Sequence, residues 1–160
     1  MARANPSPPR ADDRILRYAA VVFAVALIVH GADHFRRGFD LLTAEVFWAG
    51  NVQTAGAVGT LILVFTRSRW APVAAVVIGF SSAFGFAVVH LLPDWGIFSD
   101  AFPGAHAGAE VTAFSWFAAL FEIGADLALG LAGLQVLRRR RRVEAAAGIE
   151  PAYKVLQTSA

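Results

Sequence analysis

Four histidines are the side chains here best suited to chemistry: His30, His34, His90 and His106. His30 and His34 are four residues apart, so a helix carries both on one face. Asp33 lies one position round from the pair. Imidazole ligates zinc, copper, iron and nickel. Two histidines one turn apart can chelate an ion, and a third from another segment completes the site. His90, in His90-Leu-Leu-Pro-Asp94-Trp95, is the candidate third ligand. Two cofactors suit the set. One is a transition-metal ion on His30, His34 and His90. The other is a b-type haem with His90 and either His30 or His34 as axial ligands. Asp33, Asn51, Asp94, His106 and Glu110 are candidate supporting groups. His106 and Glu110 are also i, i+4 if the last helix starts early. The metalloprotease pattern His-Glu-x-x-His is absent. The competing reading is interfacial: histidines at helix ends bond to headgroups or freed carbonyls and bind no metal. Asp33 with Arg36 or Arg37 would then be a surface pair worth under about 1 kcal/mol.

A second set is Glu122 and Asp126, again i, i+4, inside the apolar run Val111–Leu137. An ionised carboxylate at mid-bilayer costs at least about 2.5 kcal/mol on insertion scales. The pair therefore calls for protonation or a partner, and His30, Asn51, Gln53 and Thr54 are the available donors. The functional reading is an intramembrane proton or cation relay. The structural one is a polar clasp between helices. Nucleophilic catalysis is disfavoured, because Ser81 and Ser82 lie about two turns from His90 on one helix and Ser115 has no histidine on its own.

The elements that must position these groups are four apolar stretches, at about residues 15–34, 46–65, 70–92 and 111–137. Each is long enough to cross a bilayer, which takes about 20 residues. Of the 160 residues, 57% are hydrophobic and 16% charged. The spans leave no room for a separate soluble domain. The expected fold is an all-α integral membrane protein, an antiparallel four-helix bundle over residues 14–137. Ala75, Gly79, Ala83 and Ala87 form a small-residue stripe for close helix contact. Gly56 and Gly59, and Ala118, Gly130 and Gly133, extend that signal to the neighbouring spans. His90 continues the Ala83–Ala87 face. The turn at 66–69 is tight and makes antiparallel neighbours. Pro72 sits in the first turn of the third helix, where a missing N–H is tolerated. The loop 93–109 carries Trp95, Phe98 and Phe102 and is expected to fold back over the outer end of the bundle.

Of fourteen basic residues, only Arg36 and Arg37 fall between spans on the side of the 35–45 and 93–109 loops. The rest, including Arg138–Arg142, lie on the other side, which places both termini in the cytoplasm. The opposite side is acidic. The basic run reads as an anchor on anionic lipid, and no nucleic-acid partner is expected. No small-x-small cleavage site follows Tyr18–Val29, so the first span reads as a retained helix. Residues 1–13 are expected to be a disordered cytoplasmic N-terminus and 138–160 a basic, mobile cytoplasmic tail. Cysteine is absent, which excludes disulfides and thiolate chemistry.

The topology gathers His30, His34, His90, His106, Asp33, Asp94 and Glu110 at the outer end of one multi-pass bundle in the cell membrane. The leading expectation is a metal- or haem-binding membrane protein with a redox or metal-handling role. Its rivals are a non-enzymatic accessory subunit of a larger membrane complex and a small proton- or cation-coupled transporter, the latter expected as a homo-oligomer because four helices make a thin pathway alone.

Overall fold

The computed structural model describes residues 11–158, and among them all regular structure is helical. The helices are α1 (Ala11–Arg37), α2 (Ala44–Phe65), α3 (Ala71–Phe86) and α4 (Ala113–Thr158). All four are long and apolar enough to cross a membrane, once the π-helical turn that extends α3 over Ala87–Leu91 is included. Residues 1–10 of the expected disordered N-terminus lie outside the described residues. Its last three, Ala11–Asp13, are already helical. α4 does not end at residue 137 but continues as helix through the arginine run.

The helix ends follow local chemistry. α1 stops at Gly38, whose φ of +99° suits glycine and whose N–H bonds the His34 carbonyl at 2.9 Å. Thr43 caps α2 by accepting from the Val46 N–H at 3.2 Å, while its own hydroxyl donates to the Ile97 carbonyl. Pro72 opens α3 as expected.

Contacts fix the directions. Arg36, near the end of α1, reaches Ser115 at the start of α4. Arg140, late in α4, bonds the Arg69 carbonyl before α3. Gln53 of α2 donates to Ser82 of α3. Successive helices are therefore antiparallel. α4 lies between α1 and α3, α2 packs on α3, and α1 touches α2 only lightly.

Glycine sets the tightest contact. A Cβ on Gly79 would lie 2.6 Å from the Asp126 carbonyl oxygen and 2.6 Å from the Gly130 nitrogen, so α3 and α4 meet backbone to backbone there. Gly133 is held as closely by the Pro72 carbonyl oxygen, and Gly56 by Ile78. Gly59, expected in the same role, has no neighbour where its Cβ would be. The polarity of the bundle is inverted relative to a water-soluble one. Ile28, Val52 and Phe84 are over 70% exposed, whereas His30, Asp33, Arg37, His90, Glu122 and Asp126 are buried.

Candidate metal centre

His90 lies in the π-helical turn that ends α3. Such turns are rare overall but frequent at functional sites. Ala75 and Gly79 pack toward α4, but the small-residue face ends before Ala87, which is only half-buried. His90, buried like Ala83, meets α1. Its ring centroid is 5.0 Å from that of His30 and 5.7 Å from that of His34. The loop then satisfies the carbonyls left over at the helix end. Trp95 Nε1 donates to Val88, the Asp100 N–H to Val89 and the Phe102 N–H to His90, at 3.0–3.1 Å. The 93–109 segment thus folds back over this end of the bundle, as expected.

His30, His34 and His90 each offer one ligand atom, and these atoms all lie within 4.8 Å of one another. His30 and His90 are 6% and 2% exposed, and His34 is half-buried. The Nε2 atoms of His30 and His34 are 3.0 Å apart. Two nitrogens on one four-coordinate zinc, each bonded at about 2.0–2.1 Å, are about 3.3 Å apart. The α1 pair is therefore close to chelating separation. Nδ1 of both rings is buried without a hydrogen-bond partner. A Nε2···Nε2 hydrogen bond has one donor and one acceptor, so one ring keeps a buried Nδ1 lone pair and the other a buried Nδ1–H. His90 differs: its Nδ1 lies 3.1 Å from the Asp100 carbonyl oxygen. A proton on Nδ1 leaves the Nε2 lone pair for a ligand.

Around the rings stand Asp100 and Arg37, which the sequence reading did not select as site residues, and Asp33, which it did. Asp100 accepts two hydrogen bonds of 2.7 Å from the Arg37 fork. Its second oxygen is 3.5 Å from His90 Nδ1 and 4.0 Å from His34 Nδ1. Burial opposes the Asp100 charge, but the Arg37 hydrogen bonds and the Arg37 charge outweigh it and hold the carboxyl below its ordinary range. Arg37 also donates to the Ala109 carbonyl at 2.9 Å and lies over the Phe102 ring. Asp33 is 2% exposed and takes Arg36 at 2.8 Å and the Ser115 hydroxyl at 3.1 Å. The surface-pair reading of Asp33 is thereby corrected: it locks α1 to α4 behind the rings. A signal for both pairs was present, because Arg36 and Arg37 are the two basic residues on the acidic side and needed carboxylate partners.

Three expected supporting groups stand apart. Asp94 accepts from the Gly96 N–H within its own turn. His106 and Glu110 are exposed and share no helix, because α4 begins only at Ala113 and Glu110 adopts a left-handed φ of +53°. Only the Glu110 carbonyl takes part, accepting from Arg36 at 2.9 Å. Asn51 donates to the Phe47 carbonyl of its own helix and lines the cleft beside the rings.

That cleft, of about 1090 Å³, lies over α3 between α1 and α2 and has His30, His34 and His90 in its wall. Glu122 and Asp126 lie elsewhere, on α4 where it packs against α3. Both are fully buried, and among the described residues none of their four carboxylate oxygens has a hydrogen-bond partner. The donors expected for them do not reach. Gln53 goes to Ser82, His30 to His34 and Asn51 to its own helix. No protein-family model, curated protein or solved structure matches the chain.

Proposed function

We propose that the protein is a multi-pass membrane protein that holds one transition-metal ion on His30, His34 and His90 and uses it in redox or metal-handling work. The observation that carries this reading is the mutual approach of three ligand atoms to within 4.8 Å from two different helices. The Asp100 carbonyl plays the part of an outer group that orients the His90 imidazole. A single ion suits the arrangement better than a haem. The three rings pack directly on one another, with His30 against Phe86 at 4.7 Å and His90 against Phe102 at 4.8 Å, and axial ligation needs imidazoles on opposite faces of a macrocycle. The charge pattern supports cytoplasmic termini in the cell membrane, with the centre at the outer end.

Elemental analysis and absorption spectra of the detergent-purified protein test the reading. Near-stoichiometric metal is expected in the wild type and in His106→Ala, and loss of it in His30→Ala, His34→Ala and His90→Ala. A protein that takes up no zinc, cobalt, copper, nickel or iron on reconstitution refutes it. A Soret band would transfer the site to haem.

Glu122 and Asp126 favour a second reading, proton- or cation-coupled transport with the two carboxyls as the intramembrane relay, because buried carboxyl groups without partners are retained at a stability cost. Loss of cation or proton flux in liposomes on Glu122→Gln or Asp126→Asn, with metal retained, would favour it. A protein without metal or flux that copurifies with a fixed membrane partner would be an accessory subunit.

A further inference from the structure

We infer that the cleft over α3 binds a bilayer-borne quinone or hydroquinone, with one ring oxygen directed at the histidine centre. The orientation of that oxygen rests on the metal-centre reading; the cleft itself does not.

Three glycines open the cleft. Gly31 comes from α1, Gly50 from α2 and Gly85 from α3, all inside helices and all in its wall. A Cβ at any of them would meet no atom within 4 Å. Glycine weakens a helix interior relative to alanine. At Gly79, Gly133 and Gly56 close packing supplies the reason, since a neighbouring helix occupies the place of the Cβ. At Gly31, Gly50 and Gly85 packing supplies none. Gly59 and Gly124 are also open, but neither lies in this cleft. What sets the three apart is convergence: each wall helix contributes one, and together they keep a broad slot free of side chains.

The slot has the chemistry of a ring with an oxygen at each end. Phe86 sits between two polar stations on α3. His90 is four residues after it, and Ser82, bonded to Gln53 at 3.1 Å, is four residues before it. At about 1.5 Å rise per residue the stations are about 12 Å apart along the axis. Phe86 stacks on His90 at 6.0 Å and 13°, which extends a flat aromatic wall. Phe47, Trp48 and Phe98 supply further aromatic lining. A simple acyl lipid has one polar head and would leave one station unused; a quinone uses both. The cleft volume exceeds one ring and leaves room for the start of a hydrocarbon tail. Because α1 and α2 barely touch, the tail can pass between them into lipid.

The test is titration of the full-length protein in detergent with decylubiquinone, followed by tryptophan fluorescence. Trp48 is the one tryptophan in the cleft wall. Saturable quenching is expected, with most of the saturable part lost in Trp48→Phe. Gly31→Leu and Gly85→Leu fill the slot without meeting a neighbour at Cβ, and each should weaken binding at least tenfold while circular dichroism is unchanged. Dodecanol should not compete. Quenching that never saturates, or that persists in both glycine variants, overturns the proposal, as does competition by dodecanol equal to that of the quinone. Saturable binding abolished by the glycine variants in a protein that takes up no metal would uphold the cleft and refute the metal centre. Metal uptake without saturable quinone binding would do the reverse.

Discussion

Removing either partner of the Arg37–Asp100 pair should cost far more than removing both. The Arg37 side chain is 2% exposed and that of Asp100 is 9% exposed, and two hydrogen bonds of 2.7 Å join them. Asp100→Asn leaves a buried guanidinium without a counter-charge. Arg37→Met leaves a largely buried carboxylate without its guanidinium partner and frees the Ala109 carbonyl. Breaking a buried pair from one side costs about 3–5 kcal/mol, whereas replacing both charges is often close to neutral. The double variant should therefore be no less stable than either single one, with a coupling energy of at least about 2 kcal/mol. Reversible unfolding of the four proteins in mixed micelles, read by circular dichroism, supplies the cycle. Additive losses, or single losses under about 1 kcal/mol, would give the pair the value of a surface salt bridge and refute the account of how the 93–109 loop is held.

Three further outcomes are expected. Gly79→Ala should destabilise by about 1–3 kcal/mol by forcing α3 from α4, whereas Gly124→Ala, with open space at Cβ, should be neutral or stabilising by up to about 1 kcal/mol; paired unfolding curves check both. Glu122→Met and Asp126→Leu should each raise stability by about 1–3 kcal/mol, because each removes a buried carboxyl without a partner; a loss in the same unfolding assay would restore the clasp. The contribution of Asp100 is complete above its unfolded value of about pH 3.9 and is lost only as pH falls through its lower folded value. The Asp100 contribution should therefore show as a rise in limited proteolysis of the loop below about pH 4 that is absent from Asp100→Asn.

The histidine triad was legible because two kinds of regularity carry it. Helical spacing puts His30 over His34, and the lengths of the apolar runs put His90 at the same end of the bundle. Asp100 has neither regularity. It lies in a loop whose path depends on where Trp95, Asp100 and Phe102 find the leftover carbonyls of α3. His106 and Glu110 were misplaced for the same reason: an i, i+4 relation has meaning only inside a helix, and the left-handed Glu110 keeps them outside α4. The four spans and their antiparallel order were plain from apolar run length and turn length.

Charge balance links the centre to the cleft. Asp33 is matched by Arg36, and Asp100 by Arg37. With neutral imidazoles the surroundings of the three rings are close to neutral overall. A divalent ion placed there brings uncompensated positive charge into a buried, apolar site, where charge is expensive unless paired. Neither carboxylate is free to offset it, since detaching Asp100 would strand Arg37. The offset must come from a further ligand, and the cleft is the open approach. An oxyanion such as that of a hydroquinone would neutralise part of the ion's charge while its ring lies against Phe86. On this argument metal and ring bind cooperatively. Cobalt affinity should rise about tenfold or more with hydroquinone present and be unchanged by it in Gly31→Leu. Equal cobalt affinity with and without hydroquinone in the wild type would mean that the charge is balanced in another way and that cleft and centre act independently.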